Sequence, residues 1–155
     1  MNKSSARELN SRSNEEKDNM NSLKQAHLTH IEKWGLNWNQ HSLLTLQRQS
    51  ISRVLYYNEL YKKVIGNPGC ILEFGVQWGA TTAQLISLRG IYEPYNHRRH
   101  IYAFDTFEGF VNTDRKKDGE LHDDGDYCVY DGYEAHLEEI LTLHEENCPT
   151  SHIKK

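Results

Sequence analysis

Two acids and two glycines in this chain fall at the ends of two apolar runs, where an open α/β sheet receives its ligands. Residues 70–79 read CILEFGVQWG, which places Glu73, Gly75 and Gly79 around one turn. A second acid, Asp105, closes the apolar run 101-IYAFD-105. Ligands of open α/β sheets bind beyond the carboxyl ends of the strands. Gly75 lets the backbone bend and a ligand come close. Gly79 opens a helical pattern whose first N–H groups lack partners inside the helix and can hold a polar group. A carboxylate at the next strand end can accept both hydroxyls of a ribose.

The spacing also excludes. A dinucleotide loop needs glycine where this chain has Gln77, and a triphosphate loop needs a lysine that does not follow Gly79. What remains is E-x-G-x-x-x-G with Asp105, which suits a ribose ligand without a pyrophosphate. S-adenosylmethionine is such a ligand. Structural roles compete with each of these readings. The glycines can serve the turn alone, Asp105 can be a cap, and Glu73 can pair near the strand end without touching a ligand.

The elements that must position these residues follow from periodicity. Apolar residues from Leu43 to Ile65 recur at three- and four-residue steps, so a helix is expected over 42–65, capped by Ser42, closed by Gly66 and packed on one face. Residues 70–75 and 101–105 read as buried strands, with a helix from Ala80 to Arg89 between them and Gly90 at its stop. That is a βαβ unit. Residues 111–131 are polar and read as a surface excursion. Asp131 and Glu134 have capping-box spacing for a last helix that Pro149 stops. Two strands and three helices make only part of an α/β fold. The chain ends where a third strand would begin, which reads as a fragment or a shortened gene product; alternatively a third strand lies near Tyr127 to Tyr130.

Composition sets further bounds. The chain has 155 residues, net charge -4 and 37% hydrophobic residues. The shortfall in apolar residues lies in residues 1–25, which read as a polar, disordered arm or a loose helix ahead of a domain at 26–155. No apolar run is long enough for a membrane span. The one dense basic patch, His97 to His100, reads as a solvated loop, so nucleic acid is not an expected partner. Cys70, Cys128 and Cys148 read as free thiols of a cytoplasmic protein. The acids at 123–126 lack calcium-loop spacing. Cys148 and His152 have zinc-like spacing but only Cys128 as an obvious third ligand where a structural site needs four, so no metal site is assigned. His27 and His30 read as exposed, and His144 as a half-buried packing residue. No nucleophile elbow supports a hydrolase.

The segments 71-ILEFGVQWGATTA-83 and 102-YAFDTFEGF-110, with 125-GDYCVYDGYEAHLEEIL-141, resemble the macrocin O-methyltransferase (TylF-like) family. The resemblance covers residues 60–155 and the front part of that family's domain. It implies a partial α/β, Rossmann-like fold: the first βαβ unit plus flanking helices of a class I S-adenosylmethionine-dependent methyltransferase. It implies that Glu73 and Gly75 line the methionine end of the cofactor, that Gly79 shapes the same wall, that Asp105 holds the ribose hydroxyls and that Phe107 flanks the adenine or ribose. It implies a small-molecule acceptor, a sugar or nucleotide sugar, and leaves room for a homo-oligomer. A divalent metal such as Mg belongs to the full-length family, on carboxylates after later strands that this chain does not contain. The catalytic base stays unassigned. A non-catalytic remnant that binds a nucleoside or another chain, and a transferase using a coenzyme A ester, remain as alternatives.

Overall fold

The computed structural model describes residues 13–118 and 123–147. They divide into two compact units, one running through Leu55 and one from Tyr56. In the first, helix α1 (Asn14–His30) starts in a capping box: the Ser13 hydroxyl accepts from the Glu16 N–H, and the Glu16 carboxylate accepts from the Ser13 N–H. A 3-10 segment (Ile31–Asn37), the single turn α2 (Trp38–His41) and a second 3-10 turn (Ser42–Thr45) follow, and none of these elements buries a residue. The unit is held by ring contacts instead. Trp34 lies 5.5 Å from His27 and 6.3 Å from both His30 and His41. His27 is half-buried, with Nδ1 2.8 Å from the Thr45 hydroxyl, so the exposed reading holds for His30 and not for His27.

Helix α3 (Arg48–Val64) begins six residues later than the apolar spacing indicates, because Leu46 adopts an extended conformation (ψ 126°) that breaks the helix. The Ser42 hydroxyl donates to the Trp38 carbonyl rather than capping α3. Nor is one face packed along its whole length. Leu43, Leu44, Ile51, Val54 and Leu55 are exposed, and Tyr61 is the buried residue of α3.

From Tyr56 onward, sequence and structure agree better. Strand β1 (Ile71–Phe74), helix α4 (Ala80–Tyr92) and strand β2 (Ile101–Phe104) form a parallel pair in the register Ile71↔Ile101 to Phe74↔Phe104. Among the described residues the sheet has two strands. Residues 127–130 form no third strand, and the chain there turns through Tyr127 at φ 66°. Helix α4 runs past Gly90, which keeps helical geometry. It buries Leu85 and Leu88 against Tyr61, with Ile71 and Ile101 packed on that cluster. The opposite sheet face, Leu72, Phe74, Tyr102 and Phe104, is exposed.

Arg99 overturns the solvated-loop reading at 97–100. Its neighbours are exposed, but Arg99 is buried, because its guanidinium donates to the carbonyls of Val64, Asn67 and Gly69 and to the Glu93 carboxylate. The Tyr61 hydroxyl donates to the same carboxylate at 2.8 Å. These bonds close the end of α3 and fix the lead-in to both strands. The Arg99 guanidinium holds the Glu93 carboxyl down to about 2. Burial, then the bond to Glu93, pushes the Tyr61 phenol well above its ordinary value.

Beyond β2 the chain makes the short helix α5 (Arg115–Asp118) and ends its described part in α6 (Tyr133–Glu146). The expected capping box does not form. Gly132 at φ 81° is the N-cap and no side chain caps it. α6 packs Tyr133 and Leu137 against Val76 and Val129. His144 is exposed, so it is not the packing residue its spacing indicates. Arg89 of α4 pairs with Glu145 of α6.

Candidate functional site

The two strand tips are tied together through one carboxylate. Gly75 continues the ladder, its N–H donating to the Phe104 carbonyl at 3.0 Å, and then turns at φ 84°. Two residues on, the Gln77 N–H donates to Asp105 Oδ2 at 2.8 Å. The Phe107 N–H donates to Asp105 Oδ1 at 2.6 Å. Both donors sit at left-handed φ, 49° at Gln77 and 60° at Phe107. Non-glycine residues avoid that region unless their surroundings hold them there, and such residues cluster at functional sites. Each Asp105 oxygen accepts one backbone N–H and keeps acceptor capacity for a second donor.

The turn opens onto a groove of about 560 Å³ at the carboxyl ends of both strands. Gly75, Gln77, Asp105 and Thr106 line it, with Phe110 and Tyr127 at its aromatic side. Among the described residues of that lining Asp105 carries the formal charge and none is cationic. The groove has the size and the apolar-with-few-polar-groups character of a small-molecule site.

Of the five residues singled out by sequence, Gly75 and Asp105 line the groove, and Glu73, Gly79 and Phe107 lie outside that lining. Glu73 accepts from the Thr82 hydroxyl at 2.5 Å and borders a second cleft of about 270 Å³ between β1, α3 and α4, with Tyr61 and Leu85. Gly79 is buried, and a Cβ there would lie 2.3 Å from Leu137 Cδ1, so α6 covers the start of α4. Phe107 packs on the Val76, Val129, Tyr133 and Leu137 cluster. Tyr133 adds to that cover: its hydroxyl donates to the Trp78 carbonyl at 3.1 Å, and burial pushes its phenol up.

Sequence reasoning gave Gln77, Thr106 and Phe110 no binding role, and it missed Tyr127 because it read 111–131 as a surface excursion. The segment instead returns to the strand tips. Phe110 N–H donates to the Asp126 carbonyl, Gly125 N–H to the Phe110 carbonyl and Val129 N–H to the Phe107 carbonyl. Gly109 was the available signal. Its φ is 77°, and a Cβ there would meet the Asp126 carbonyl oxygen at 2.3 Å, so the two arms meet at a position that only glycine fits.

No group of three or more His, Cys, Asp or Glu side chains among the described residues is placed to hold a metal ion. The Cys148 and His152 pair lies outside the described residues. Cys70 and Cys128 are free thiols. Among the described residues no helix is long and apolar enough to cross a membrane.

No family model and no curated protein sequence matches this chain. Solved structures do. A crystal structure of CalS11, a calicheamicin methyltransferase, superposes with a TM-score of 0.79 at 30% identity, over 99% of this chain and 60% of that chain. This is a partial methyltransferase fold. An apo structure of CalS11, described as a TDP-rhamnose 3'-O-methyltransferase, superposes with a TM-score of 0.69 at 30% identity over 92% of this chain and 53% of that one. The chain therefore spans roughly half to three fifths of the length of these CalS11 chains. The likeness is to a sugar O-methyltransferase and does not single out the TylF-like group.

Proposed function

We propose that this chain is an S-adenosylmethionine-dependent O-methyltransferase chain acting on a sugar hydroxyl, of the macrocin O-methyltransferase type that its motifs resemble. The observation that carries this reading is the likeness to CalS11 over 99% of the chain at 30% identity. The groove supports it. Asp105 keeps acceptor sites for two ribose hydroxyls, Gly75 leaves the wall beside it without a side chain, and none of the described lining residues is a cation that would favour phosphates. When bound, S-adenosylmethionine supplies an electrophilic methyl on a sulfonium. The chain's own residues bind and orient the nucleoside. Glu73, Gly79 and Phe107 act from behind: Glu73 ties β1 to the first turn of α4 through Thr82, and the other two seat α6 and the returning loop. No residue is assigned as the base, and no step is routed through a metal.

Titration calorimetry with S-adenosylhomocysteine, followed by radiolabelled methyl transfer to TDP-sugars, tests the proposal. Saturable binding and labelled sugar support it. Absence of both removes it. A second reading draws on the exposed sheet face of Leu72, Phe74, Tyr102 and Phe104. In it the unit binds the nucleoside without turnover, and binding with no labelled sugar is its signature. Transfer from a coenzyme A ester is less favoured because none of the described lining residues offers its phosphates a cation.

A further inference from the structure

We propose that Phe110 and Tyr127 are the base platform of the groove, the rings on which the purine of the methyl donor stacks. The inference rests on Asp105 as the ribose acceptor, because it places the base at the aromatic side of the same cavity. Both rings line that cavity, and Phe107 does not. Phe110 is 43% exposed although large and apolar, an exposure that covering by a flat ligand would remove. The rings meet edge to face, with centroids 5.2 Å apart and planes at 66°.

Their placement is built rather than incidental. The Gly109 contact and the paired bonds between Phe110 and residues 125 and 126 clamp the two arms together. Tyr127 is held at φ 66°, a costly conformation for a bulky residue, and the Gln77 side-chain amide donates to its carbonyl at 3.4 Å. Gln77 thus connects the base side to Asp105 through its own backbone N–H. Any base has a face that stacks on an aromatic ring, so a thymine from a nucleotide-sugar acceptor is the competing occupant. The described part of the lining favours the donor's adenine, because a thymidine diphosphate would bring two phosphates against the Asp105 carboxylate and none of the described lining residues is cationic.

The test titrates the full chain and its Phe110→Ala and Phe110→Tyr variants with S-adenosylhomocysteine, adenosine and TDP. Matched melting temperatures establish that the variants fold. The expected result is binding of the first two ligands, weakened about tenfold in Phe110→Ala and within about twofold of the parent in Phe110→Tyr. Phe110→Ala binding within twofold of the parent overturns the platform while leaving the methyl-donor reading in place. Loss of the same size in Phe110→Tyr also overturns it. TDP binding that Phe110→Ala weakens reassigns the rings to the acceptor. No nucleoside binding by the parent chain overturns both readings.

Discussion

The βαβ unit is fastened at both ends by a single ionisable side chain, and the two fastenings differ in what they leave over. At the amino ends of the strands, Arg99 donates to three carbonyls and is matched by Glu93, which Tyr61 and Asn96 also serve. At the carboxyl ends, Asp105 accepts from two backbone N–H groups and has no opposite charge beside it among the described residues of the groove lining. The first end is saturated and buried. The second is half-saturated and faces a cavity. The same device therefore gives stability where every donor is matched and a candidate binding site where acceptor capacity remains.

The largest expected effect breaks the saturated end. Arg99→Ala leaves Glu93 as a buried charge without its cation and several carbonyls without a donor. Denaturant unfolding should show a loss of about 3–5 kcal/mol; a loss under 1 kcal/mol would mean that the cluster is incidental. Next comes the open end. Asp105→Ala removes two charge-assisted bonds and should cost about 2–3 kcal/mol by the same measurement, with S-adenosylhomocysteine affinity falling beyond calorimetric detection. Unchanged affinity would remove Asp105 from the ribose.

Acid separates the two ends further. The Glu93 carboxyl is held down to about 2 in the folded chain, below its ordinary value of 4.5. A depressed carboxyl contributes stability above the unfolded value and loses it as pH falls through the folded one. Unfolding free energy should therefore decline from pH 4.5 toward pH 2, and Glu93→Gln should flatten that slope. The smallest effect sharpens the comparison: Tyr61→Phe takes one of several donors from Glu93 and should cost about 1 kcal/mol, read as a modest drop in Tm.

Much of this was legible in the sequence. The βαβ unit, the turn at Gly75 and the acid at Asp105 follow from short apolar runs bounded by turn residues, although the two strands are half-buried or exposed rather than buried. The failures have physical causes. The α3 boundary was misplaced because one extended residue, Leu46, outweighed a continuous apolar period. Arg99 was misread because a basic run gives no hint that one guanidinium caps a distant helix end. Phe110 and Tyr127 were missed because an acidic, glycine-rich composition does not reveal that Gly109 brings two arms together. Hydrophobic period reports which face is buried; it does not report long-range hydrogen bonds.

The leucine seated on Gly79 carries one more consequence. A glycine turn read by itself looks accessible, yet here a residue 58 positions further along plugs it. What can approach this turn is thus set jointly by local backbone and by the register of a distant helix. A slip of one residue in α6 would bring His136 or Glu138 toward that glycine and exchange a hydrocarbon stopper for a polar one.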